Sequence, residues 1–171
     1  MSIAKERYDA LSSTRSQYLN IAEQASSLTI PYLIHGDETY NNSAKSLKTP
    51  YQSVGAKGVV TLASKLMLAL LPPQTSFFKL QVDEQMLGQV GDPRIKSEMD
   101  LAFSKIERTI LEAIGASDDR VVVHQALKHL VVAGNVLIFM SKDGLKLFPL
   151  NRYVVERDGD GNLIELSLIH I

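Results

Sequence analysis

A chain of 171 residues that is 45% hydrophobic and 22% charged is ordinary globular material, long enough to bury one core. Its 18 basic side chains against 19 acidic ones create no overall field that would recruit nucleic acid or an anionic membrane. The lack of cysteine excludes a disulfide framework and a thiolate zinc site, and fits a reducing compartment.

Lys5, Glu6, Arg7 and Asp9 interrupt the apolar core that a signal peptide would need. Ala4, Tyr8, Leu11, Arg15, Tyr18, Ala22 and Ala25 alternate steps of four and three, which predicts one long amphipathic helix from Ser2 to about Leu28. Its seam of alanine and tyrosine suits packing on a larger body better than a free coiled coil. Thr29-Ile30-Pro31 ends it, and Tyr32 to Lys48 reads as a long loop whose Lys45 and Lys48 are of a type that touches a phosphate backbone but are better accounted for as part of a solvated loop.

Thr49-Pro50 then reads as a helix start and Pro72-Pro73 as a stop, enclosing the stretch around which the rest is arranged. Within it Val54, Val59, Leu62, Leu66 and Leu70 follow helical spacing beside a narrow polar stripe of Lys57, Thr61, Ser64 and Lys65. Leu66 to Leu71 is apolar on every side and is expected to be buried all round. The run falls far short of the roughly 18 residues a membrane span needs.

Phe78, Leu80 and Val82 alternate with polar residues as a half-buried strand would. Asp92-Pro93 opens a further helix with Met99, Phe103, Ile106, Ile110 and Ile114 on one face and Gly115 as its terminal glycine. Ser117 starts the next, with Val122, Val123, Ala126, Leu127, Leu130 and Val131 turned inward. From Asn135 the pattern changes to short strands, Val136 to Met140, Leu145 to Phe148, Tyr153 to Arg157 and Leu163 to about Ile169, separated by turn residues. The expected class is α+β: residues 1–134 mainly helical with one short strand, residues 135–171 an antiparallel β-meander. Its last strand has an uncovered hydrophobic edge, so the two parts read as one domain truncated at its C-terminus.

Motifs that would carry chemistry do not assemble. His124 and His129 are five apart, which does not place both on one helix face for a metal. Asp158, Asp160 and Asn162 imitate the opening of a calcium loop, but the sixth and twelfth positions are Leu163 and Ile169, so a hairpin turn accounts for them. Gly55-Ala56-Lys57-Gly58 lacks the spacing of a phosphate-binding loop and instead suits the close approach of another backbone. No catalytic residue, cofactor site or metal site is expected, and no DNA-binding residue can be singled out.

The run TPYQSVGAKGVVTLASKLMLALLPPQTSFFKL, Thr49 to Leu80, closely resembles the N-terminal part of the head-to-tail connector, or portal, proteins of short-tailed bacteriophages. Three further stretches match in the same order: Ser16 to Leu33, His124 to Met140 and Leu145 to Asn162. Together they cover roughly half the chain. Tyr51 stands where the family pattern has tryptophan, and Leu166 to Ile171 departs from the pattern and is similar to translated sequencing adapter. The resemblance implies a non-enzymatic subunit of a closed ring, usually of about twelve copies, at one capsid vertex of a virion assembled in the host cytoplasm. Implied partners are the terminase large subunit, tail adaptor proteins, the major capsid or scaffolding protein, and double-stranded DNA passing without sequence preference. It also implies that this piece belongs to the outer, wing-like body of a longer protein. The competing expectations are a freestanding α+β module binding nucleic acid or protein, and an enzyme with an unfamiliar site.

Overall fold

The computed structural model describes residues 3–34, 49–73, 75–81 and 93–168. The described elements are α1 (Ile3–Leu28), α2 (Val54–Leu70), α3 (Pro93–Ala116), α4 (Asp119–Ala133), β1 (Leu137–Ser141), β2 (Gly144–Phe148), a 3-10 turn (Leu150–Arg152), β3 (Tyr153–Arg157) and β4 (Leu163–Leu168). The class is α+β, as expected. α1 and α2 both pack on α4, α4 also carries β2, and β3 lies on α1. The core forms where these contacts converge, around Leu19, Ala22, Ile34, Val59, Leu150 and Tyr153.

The length of α1 follows its periodicity, but the line it buries is Arg15, Leu19, Ala22 and Ser26, while Tyr18 and Ile21 face outward. Small alanine and serine residues on that line let the following segment fold back against the helix. Ser26 makes the fold-back specific: its Oγ donates to the Ile30 carbonyl at 2.8 Å and accepts the Ile34 N–H at 3.2 Å. Ile30, Leu33 and Ile34 are thereby buried beneath the helix end.

α2 begins at Val54, four residues later than the Thr49-Pro50 signal suggests, with Ser53 at the cap position making no side-chain bond. It stops before Pro72, and Arg120 of α4 donates to the Leu71 carbonyl, placing a cation at the negative end of the helix. The expectation that Leu66 to Leu71 is enclosed is overturned: Leu68 is 59% and Leu70 54% exposed. Only one face of α2 packs on its neighbours, through Val59 and Ala63.

Two further expectations are corrected. Residues 75–81 form no strand, and no described strand pairs with this segment. Its Leu80 N–H donates to the Glu107 carboxylate instead. Val82 and Asp92 lie outside the described residues. Gly115 sits within α3 rather than closing it, and among the described residues the glycines at positive φ are Gly134, Gly144 and Gly161. Of these, Gly134 ends α4, with its N–H on the Leu130 carbonyl at 2.9 Å.

The four strands do not make one meander. β1 pairs with β2 and β3 with β4, both antiparallel, as two separate hairpins. Pro149 and the 3-10 turn prevent β2 from turning directly back into β3, and Leu150 of that turn plugs into the core between the hairpins. The short strand lengths and the turn at Asp158–Gly161 agree with the sequence pattern.

Candidate assembly surface

His124 and His129 are not brought together as ligands. His124 Nε2 lies 3.3 Å from Ser64 Oγ across the α2–α4 contact, while His129 is buried, with no hydrogen-bond partner for its Nδ1 among the described residues. Leu130, expected inward, takes the outward position beside it. Burial pushes the His129 pKa down, and burial followed by the charge of Lys128 does the same to His124. Below about pH 6.5 the unfolded chain therefore takes up protons that these folded sites refuse. Stability is fully present above that value and is lost as the pH falls below it. Urea unfolding at pH 7.5 and pH 5.5 is expected to show this loss, and His129→Gln is expected to reduce the difference between the two midpoints.

The Asp158 turn is closed on itself. Its carboxylate accepts the Asn162 side-chain amide at 2.9 Å and the N–H groups of Asn162 and Asp160 at 2.7 and 3.1 Å. These bonds, led by the Asn162 side chain, hold the carboxyl below the usual carboxylate range. Gly55 does admit another backbone: a Cβ there would lie 2.8 Å from the Leu28 carbonyl. A Cβ at Gly58 would meet nothing within 4 Å beyond the helix's own backbone. Lys45 and Lys48 lie outside the described residues. Among the described residues no group of three His, Asp or Glu side chains could hold a metal ion, and no helix is long and apolar enough to cross a membrane.

What the structure builds is a braced frame. Arg15 of α1 is buried, and its Nη1 donates to the carbonyls of Leu150, Asn151 and Tyr153 at 3.3, 3.1 and 2.9 Å, its Nη2 to Ser12 Oγ at 3.3 Å. One guanidinium thus gathers the backbone at the junction of the two hairpins and ties it to α1. Two turns earlier, Arg7 bonds Glu165 at 2.9 Å and also pairs with Glu156. These two glutamates stand directly opposite each other on β4 and β3, where like charges repel, and Arg7 offsets that repulsion. The bond to Glu165, then the charge of Glu156, raises the Arg7 guanidinium further above its ordinary value. Asp119 does for the first hairpin what Arg15 does for the junction: its Oδ1 accepts the Leu145 N–H at 3.0 Å. Sequence periodicity counted Arg15 as one more seam residue. The readable signal was an arginine inside an otherwise apolar stripe, which needs buried acceptors.

Outside this frame the apolar residues are uncovered. On α2, Val54, Val60, Leu62, Leu68 and Leu70 are exposed; on α3, Ile95, Leu101, Ile106 and Ile110. Tyr51, which stands where the family pattern has tryptophan, is fully in solvent. Surfaces of this kind on a folded chain mark contacts with further protein.

The sequence matches the family described as bacteriophage head to tail connecting protein over residues 2–167. The chain belongs to this family. It is 40% identical over 169 residues to the portal protein of Enterobacteria phage T3 and 39% identical over 170 residues to that of Escherichia phage T7, each covering 95% of this chain. The portal protein of Pseudomonas phage phiKMV is 27% identical over 144 residues, 82% of this chain. The chain spans 31% of the length of the T3 and T7 portal proteins. The connector family thus takes in both hairpins and every described helix, and the match stops at residue 167, inside β4.

Proposed function

We propose that this chain forms part of the structural subunit of a phage portal ring, the head-to-tail connector at one capsid vertex, and that it performs no catalysis. The observation that carries this reading is the family match over nearly the whole chain, together with relatives named as portal proteins. The open apolar faces of α2 and α3 support it, since a ring subunit must present surfaces that are buried only after assembly. In the ring, the genome passes inward during packaging and outward at infection, the terminase large subunit docks first, and tail adaptor proteins follow. The near balance of charge suits a conduit through which duplex DNA slides rather than a surface that grips it. Residues 1–134 and 135–171 then act as one incomplete domain of the wing-like body, the frame built on Arg15 keeping the hairpins fixed on the helices.

Interrupting this gene in its source phage is expected to leave capsids that form but contain no genome, with DNA content restored when the gene is supplied in trans. Normal DNA content in capsids from the interrupted gene contradicts the reading.

A further inference from the structure

The first hairpin has two outer edges, and they end differently. Ser141 pairs with Gly144 across the two-residue turn, so the ladder bonds fall on the pairs 141/144, 139/146 and 137/148, and the intervening residues turn their amides outward. On β2 the outward Leu145 N–H is taken by Asp119 at 3.0 Å, at the start of the helix on which β2 packs. On β1 the same alternation turns the backbone groups of Ile138 and Met140 outward, and no described strand pairs with them. Ile138, Phe139 and Met140 are 40%, 51% and 80% exposed. Successive strand residues point to opposite faces, so the exposed Phe139 lies on one face of β1 and the exposed Ile138 and Met140 on the other, beside the open edge. Folded proteins blunt such an edge with charge, proline, a bulge or a cover. Leu137–Ser141 has neither charge nor proline, and its register is unbroken.

We propose that the outer edge of β1 receives an added strand from the part of the full-length protein that this chain lacks. The inference rests on the portal reading, in which the T3 and T7 relatives are about three times as long as the segment matched here. A segment of the same polypeptide is held near β1 at an effective concentration that no free partner matches. Pairing satisfies the backbone groups of Ile138 and Met140, and apolar residues at alternate positions of the added strand cover Phe139 on one face and Met140 on the other.

Amide-resolved hydrogen exchange on the product of the gene extended to its natural stop tests this without a substitution. The Ile138 and Met140 amides are expected to exchange at least about 100-fold more slowly than those of Lys142 and Asp143 in the adjoining turn, and to stay protected when rings are dissociated into folded subunits. Met140→Pro removes an outward N–H without touching the ladder to β2, and is expected to abolish the protection of Ile138 while the amides of Lys146 and Phe148 stay slow. Fast exchange at Ile138 and Met140 in the intact protein overturns the inference. Protection that vanishes on dissociation also overturns it, since the strand then comes from a neighbouring copy. Mass photometry of the same sample separates the two readings: a ring with an unprotected β1 removes only this inference, and a protected β1 without a ring removes only the portal reading.

Discussion

Arg15→Ala is expected to destabilise the fold by about 3 to 5 kcal/mol, because it removes the cation and strands the buried carbonyls of Leu150 and Tyr153 that it satisfies. Each buried acceptor left without a donor costs roughly 1–3 kcal/mol, and a whole domain has only about 5–15 kcal/mol in hand. The urea midpoint should fall by on the order of 2 M, with the loss concentrated where α1 meets the hairpin junction. Arg15→Lys is expected to recover roughly half of this. A single ammonium reaches fewer of the acceptors than a planar fork that touches three carbonyls and Ser12 at once. A midpoint unchanged by Arg15→Ala would mean that the hairpins are held on the helices by packing alone.

The two glycines at the start of α2 are expected to respond with opposite signs. Gly55→Val places atoms against the Leu28 carbonyl and the Thr29 backbone, where even a Cβ would lie 2.8 and 3.3 Å away, and backbone cannot yield as a flexible side chain would. A loss of about 3 kcal/mol is expected. Gly58→Ala meets nothing within 4 Å beyond the helix's own backbone and gains helix propensity, so it is expected to stabilise by about 0.5–1 kcal/mol. Thermal or urea unfolding of the two variants side by side checks the contrast. A shift of the same sign in both would show that the α1–α2 approach is looser than these distances imply.

The helices were legible because their signal is local. Spacing of apolar residues, prolines at Pro72 and Pro93 and the terminal leucine of α1 depend on a few neighbouring residues, and these fixed the helix bounds to within a few positions. Burial was much less legible. The α2 end reads as a core segment because leucines fill every side, yet whether a leucine is covered depends on what stands beyond the helix, and Leu68 and Leu70 are open here. The same holds for the face of α3, whose periodicity is correct and whose Ile106 and Ile110 remain exposed. Strand pairing failed for a related reason. Phe78-Lys79-Leu80 alternates as a strand does, but alternation cannot supply the partner edge, and the Pro149 turn splits what reads as a continuous meander. Of the candidate site residues, the turn at Asp158 was readable from its Asp-Gly chemistry, and the close approach at Gly55 from its lack of a Cβ. The bracing roles of Arg15 and Asp119 were not, since each acts on backbone that is distant in sequence: Leu150 and Tyr153 lie more than 130 residues from Arg15.

On the proposed reading, the open faces of α2 and α3 are buried when subunits close into a ring. A heterologous interface joins one face of a subunit to a different face of the next, and losing part of that interface leaves the translational and rotational cost of association unchanged. Mass photometry on the 171-residue chain and on the product of the gene extended to its natural stop tests this most directly. The extended product is expected to give one discrete ring and the shorter chain only monomer or irregular aggregate. A uniform ring from the 171-residue chain alone, or nothing but monomer from the extended product, would contradict ring assembly through these faces.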